Sequence, residues 1–166
     1  MIKRLCQTTN DPVLTIVRLT LGVVFFAHGA QKALGWFGGY GFGETLGAFS
    51  KMGMPVVLGL LVILIEFLGS LALICGLLAR VASGAIILLM ASAVAMVHAQ
   101  FGFYMNWFGQ QKGEGFEYHL LAIGLAFVVL IRGAGAWSID GLLGQSNAAS
   151  NSSGRLTSQL PVRNSR

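Results

Sequence analysis

Residues Pro55 to Ala79 read PVVLGLLVILIEFLGSLALICGLLA, an apolar run whose only charge is Glu66. At 1.5 Å per residue a helix of this length reaches about 37 Å, enough to cross a hydrocarbon core of roughly 30 Å. A carboxylate near the middle of such a span is costly unless it is paired, protonated or turned inward. The stretch therefore predicts a membrane helix, and Glu66 is its first candidate site residue.

Working outward, three further apolar stretches run over about 12–33, 81–99 and 116–131. Of the 166 residues, 55% are hydrophobic and 10% charged, and the mean hydropathy is +0.73, well away from the composition of a soluble domain. The predicted fold class is all-α, an integral membrane four-helix bundle. The fourth stretch is the shortest and opens with Glu117 and His119, so its outer end is expected to rise into a polar region. Residues 1–144 hold the bundle, which leaves no room for a separate soluble catalytic domain. Residues 145–166 are rich in Ser and Asn, bury too little apolar surface to offset the entropy of ordering, and read as a disordered polar tail.

The net charge of +5 does not form a nucleic-acid footprint, because the basic residues are scattered over span ends and tails. Lys3, Arg4, Arg80, Arg132, Arg155, Arg163 and Arg166 fall on one side, against Lys32, Lys51 and Lys112 on the other. The bias of basic residues toward the cytoplasm puts both termini there, with the segments 34–54 and 100–115 as outward loops. Arg18 interrupts the first apolar run, which argues for an uncleaved first helix over a signal peptide. Arg80 alone separates the second span from the third and is expected to mark a tight turn. Small residues at Ala91, Ala95 and Ala99 are expected to pack the bundle against itself. Cys6 and Cys75 form no C-x-x-C pair and carry no dithiol signature.

Polar residues inside the apolar runs carry the functional reading. Arg18, about one and a half turns into the first span, either snorkels to the interface or turns inward to pair with Glu66. Toward the outer face lie His28, Gln31 and Lys32, which share one helix face at i, i+3 and i+4. His98 ends the third span, and Glu117 and His119 open the fourth, at the same depth. The topology predicts an outer-face polar pocket for a small molecule. No metal motif of fixed spacing is present, so neither metal nor haem is expected, whereas a quinone is compatible with the pocket. The aromatic and glycine-rich segment from Gly35 to Gly43 reads as an interfacial anchor with tight turns.

The order of these features resembles the DoxX family of small four-helix bacterial membrane proteins. The resemblance rests on Arg18-Leu19-x-Leu21-Gly22, His28-Gly29-x-Gln31-Lys32, Gly35-Trp36-Phe37-Gly38-Gly39, Gly53-x-Pro55 and Glu66-Phe67-x-Gly69. It continues through Gly76-Leu77-x-x-Arg80, Val97-His98, Gly102-Phe103, Glu117-Tyr118 and Gly133-x-Gly135-x-x-Ser138-x-Asp140. Ala134 stands where a proline is common in the family. The resemblance implies a DoxX-like four-helix bundle in the bacterial inner membrane. Family relatives include a subunit associated with thiosulfate:quinone oxidoreductase activity, and others linked with oxidative-stress complexes.

The function this implies is a membrane subunit or accessory of a redox complex, handling a quinone or a small sulfur compound from the outer side. Its partners would be the lipid bilayer with redox subunits or further copies of the chain, and no nucleic acid. Any catalysis would belong to a quinone-linked oxidoreductase. The competing reading is a non-enzymatic small transporter or membrane assembly factor, since intramembrane Glu, Arg and His mark transport pathways as readily as redox sites.

Overall fold

A computed structural model of the chain describes residues 5–144; the predicted tail 145–166, with Lys3 and Arg4, lies outside the described residues. Among the described residues every regular element is helical. The first helix, α1 (Pro12–Leu34), starts where sequence signals place it. Asp11 accepts from the amide of Val13 as N-cap, and Pro12 occupies the first helical position, where its missing N–H is no loss.

A short helix, α2 (Gly41–Lys51), follows. This departs from the expectation of an irregular outer loop over 34–54. Its glycines argued against a helix, but tertiary packing prevails: Leu46 and Phe49 close over Gly59 of the next helix, where a Cβ would lie 3.0 Å from the Phe49 ring.

That next helix, α3 (Val56–Cys75), contains a π-helical turn at Ile65–Gly69, the turn that carries Glu66. The chain reverses through Gly76–Leu78 into α4 (Ala79–Phe101), which ends in a second π turn, Val94–His98, and a 3-10 turn. Gly76 (φ 66°) is fixed by space as well as by dihedral, because a Cβ there would fall 2.5 Å from that of Ser138. Arg80 lies within the first turn of α4 rather than forming the reversal. It ties the helix to its neighbours by donating to the carbonyls of Gln7, Leu130 and Ile131.

The last long helix is α5 (Glu117–Arg132), which packs along α4 through Ala82, Ala122 and Ala126. Three helices, α1, α3 and α4, are long and apolar enough to cross a membrane. At sixteen residues α5 reaches only about 24 Å, short of a full hydrocarbon core. The core joins Leu21 and Phe25 of α1, Leu73 of α3, Ile86 and Met90 of α4, and Val129 of α5. Ala91, Ala95 and Ala99 are exposed and do not pack into it, correcting the expectation of a self-packing alanine stripe.

One stripe of α1 sets the register against α3. Arg18, Gly22, Phe25, Gly29 and Lys32 follow one another at steps of four, three, four and three, so they share a face. A Cβ on Gly29 would lie 2.6 Å from the backbone of Phe67, and one on Gly22 would lie 3.0 Å from Ile74. The two helices therefore meet nearly backbone to backbone, as membrane helices do at small residues.

Candidate functional site

The register of α1 on α3 decides which basic residue meets the buried carboxylate. Gly29 seats against Glu66 and Phe67, and Lys32, one turn further on, reaches Glu66: Nζ to Oε2 is 2.5 Å. Glu66 is 6% exposed, so this pair lies largely out of solvent. A π turn widens a helix by one residue and re-aims its side chains, and such turns frequently mark functional sites.

Arg18 takes neither of the courses expected for it. It is 1% exposed, does not snorkel and does not pair with Glu66. Its guanidinium lies at the opposite end of the α1 stripe and donates only to backbone. Nε bonds the carbonyl of Ala134 at 2.8 Å, and Nη2 that of Trp137 at 3.2 Å. Nη1 bonds the carbonyl of Ile74 at 2.8 Å and also that of Leu73. These carbonyls belong to the last turn of α3 and the 133–138 segment after α5, so Arg18 fastens three parts of the chain. Asp140, which sequence reasoning met only within the family pattern, completes this end. Its carboxylate accepts from the amides of Leu78 and Ala79 at 2.8 and 3.0 Å, capping α4 from a distance of sixty residues. Cys6 lies beside it, and burial first, then the Asp140 carboxylate, hold its thiol above the ordinary value.

At the other end the polar residues surround a cavity of about 570 Å³. His28, Lys32, Glu66, His98 and His119 all line it, so five of the eight predicted site residues converge. The imidazoles of His98 and His119 lie 4.1 Å apart between centroids, and the Tyr118 ring lies 6.1 Å from His28 and 5.5 Å from His119. His98 Nδ1 sits 2.8 Å from the carbonyl of Glu114, which can only accept. Nδ1 of His98 therefore donates in this contact, which leaves Nε2 without a role in it.

Two predicted residues do not line the cavity and brace neighbouring segments instead. Gln31 donates to the carbonyl of Phe37 at 3.3 Å and steadies the turn after α1. Glu117 accepts from the amide of Met105 at 3.0 Å and from Trp107 Nε1 at 2.9 Å, ordering the loop before α5. Sequence reasoning missed Tyr118 and the methionines Met52, Met54, Met90, Met96 and Met105, all of which line the cavity. Tyr118 was adjacent to two chosen residues, but the methionines gave no signal, since an apolar residue in an apolar run reads as packing.

Two buried polar atoms at the cavity have no partner among the described residues: Tyr118 Oη and His119 Nδ1. His119 is 6% exposed. An unpartnered buried group costs about 1–3 kcal/mol, so two of them beside one cavity point to something that binds there. Lys32 is the one cation lining the cavity among the described residues, and Glu66 already neutralises it. No group of three or more His, Cys, Asp or Glu is arranged to hold a metal ion among the described residues.

No curated protein and no solved structure matches the chain. A protein-family model, DoxX, matches residues 13–99. The matched segment runs from α1 almost to the end of α4 and takes in His28, Lys32, Glu66 and His98, while Tyr118 and His119 follow it. Because that match covers more than half of the 166 residues, the chain belongs to the DoxX family of membrane proteins.

Proposed function

We propose that this DoxX-family protein is a membrane subunit or accessory of a bacterial redox complex, and that it binds a quinone in the cavity bounded by Lys32–Glu66, His98, Tyr118 and His119. In this reading residues 1–144 form a four-helix bundle of the inner membrane, with α5 completing the set. Residues 145–166 form a polar cytoplasmic tail, and both termini face the cytoplasm. Arg80 and Arg132 at the Arg18 end, against Lys32, Lys51 and Lys112 at the other, support that orientation. The cavity then opens on the outer half of the bundle.

The observation that carries the reading is the pair of buried, unpartnered atoms, Tyr118 Oη and His119 Nδ1, on two residues that line a largely apolar cavity. A phenol donates to a quinone carbonyl, and an imidazole nitrogen either accepts from a quinol hydroxyl or, in its other tautomer, donates to a quinone oxygen. A bound quinone supplies two-electron, two-proton chemistry. The chain's own residues hold the head group, exclude water, and keep an ion pair, Lys32 with Glu66, at the wall. A small sulfur oxyanion suits the cavity less well, because its one cation is already neutralised.

Native mass spectrometry of the protein gently extracted from its own membrane tests the assignment. A co-isolated quinone or redox subunit supports it, and a bare bundle carrying only lipid favours the transporter or assembly-factor reading. Titration with decylubiquinone in detergent gives the same answer for the ligand alone. Saturable binding lost in Tyr118→Phe combined with His119→Ala is the expected result.

A further inference from the structure

The same cavity has an edge that the polar residues do not explain. Residues 56–64 of α3 pack on α1 and α2, whereas contacts between α3 and α4 are concentrated at 65–69 and 70–75. The two helices are joined by the short reversal at 76–78 and separate above the π turn. Leu58 and Leu61 of α3 and Leu88 and Met96 of α4 line the cavity across that gap, yet all four are exposed, Leu88 at 70%.

Depth decides what they are exposed to. Leu88 lies thirteen residues before the end of α4, about 20 Å along the helix, and Leu61 lies five residues into α3, about 8 Å from its start. Both helices are apolar enough to cross a core of roughly 30 Å. A leucine exposed at the depth of Leu88 lies within the hydrocarbon core, so the gap beside it opens sideways to the bilayer.

We propose that the gap between α3 and α4, flanked by Leu61 and Leu88, is a lateral portal, and that the cavity takes a neutral, lipid-soluble molecule with a hydrogen-bonding head group directly from the membrane. The chemistry agrees with the route. The cavity offers no unpaired cation for an anionic ligand, and its wall at the gap is hydrocarbon. Tyr118 and His119, whose buried Oη and Nδ1 have no partner among the described residues, line the same cavity and supply the groups that a carbonyl or hydroxyl would engage. The inference builds on the ligand-binding reading above, but it concerns the direction of entry and holds for any neutral lipid-soluble ligand.

The test is photolabelling of the full chain in liposomes with a bilayer-partitioning aryl diazirine, in parallel with a water-soluble diazirine, and mapping of adducts by mass spectrometry. The lipid-phase reagent is expected to label Glu66, Tyr118 and His119. The double substitution Leu61→Trp with Leu88→Trp, which narrows the gap, is expected to reduce those adducts several-fold. Labelling of Leu121 and Ile131, exposed residues of α5 away from the cavity, should stay unchanged and report that the variant is folded. Cavity adducts formed only by the water-soluble reagent, or undiminished in the tryptophan variant, would overturn the portal. Wild-type protein that admits the diazirine but does not bind decylubiquinone keeps the portal and removes the quinone. Binding without cavity labelling by the lipid-phase reagent keeps the quinone and removes the portal.

Discussion

The two basic residues at the ends of the α1 stripe, Arg18 and Lys32, look equivalent by type and by helix face, but their surroundings differ in kind. Arg18 is enclosed, with its donors directed at four main-chain carbonyls. Lys32 is a quarter exposed, meets a single carboxylate, and stands at the wall of a cavity that also holds two unpartnered polar atoms. A guanidinium presents a rigid fork of donors and suits the first role, whereas an ammonium on a flexible stem suits a wall that must accommodate a ligand. Satisfied polar groups fasten a fold, and unsatisfied ones beside a space indicate a site.

Breaking the fastening end should cost most. Arg18→Met removes every donor at once, taking a partner from four carbonyls of which only that of Leu73 keeps another, the amide of Gly76, so thermal unfolding in detergent should register a loss of about 4 kcal/mol. An effect under about 1 kcal/mol would mean that water replaces the guanidinium and that the contrast between the two ends is overdrawn. Next in size is Gly29→Val, which drives a side chain into the Phe67 backbone and pushes α1 from α3, at about 2–3 kcal/mol. It should also separate Lys32 from Glu66, so decylubiquinone affinity is expected to fall with stability. Asp140→Asn keeps the shape of the cap but removes its charge and sets an NH2 against one of the two amide donors, and should cost about 1–2 kcal/mol without altering ligand binding.

At the open end the order of effects is reversed. Glu66→Gln retains an acceptor for Lys32, and with Lys32 partly exposed the stability change should stay within about 1 kcal/mol. Ligand affinity should nevertheless fall roughly tenfold, about 1.4 kcal/mol, if the charge pair shapes the wall. Unchanged binding in Glu66→Gln would remove the pair from the site. The smallest effect concerns Cys6 at the fastening end. Its folded-state thiol is raised, so the thiolate forms only at higher pH than in the unfolded chain. In a Cys75→Ser background, alkylation of Cys6 by iodoacetamide should therefore have its pH midpoint displaced upward, and should shift back on denaturation.

Much of this arrangement is legible in the chain. The apolar runs announce α1, α3 and α4, the brevity of the fourth run is matched by the sixteen residues of α5, and Asp11-Pro12 marks a helix start. Glu66 stands out because an isolated carboxylate in an apolar run needs a reason, and the outer-face depth shared by His28, Lys32, His98 and His119 anticipates their convergence. Depth says nothing about which way a side chain turns, and so Gln31 and Glu117, at the same level, prove to hold neighbouring loops rather than line the cavity. Helix α2 was obscured by its own glycines, since the force that makes it helical comes from Gly59 on another helix.

Hydropathy, span length and motif order are local properties, and they suffice for the membrane setting, the long apolar helices, the family and the presence of a buried charge. That Lys32 and not Arg18 meets Glu66, that Arg18 and Asp140 close the opposite end, and that Tyr118 and His119 line the cavity emerges from packing alone, because it depends on register. A helix shows one of its faces to each neighbour, and the close approach at Gly22 and Gly29 fixes the sliding of α1 on α3 to within a turn.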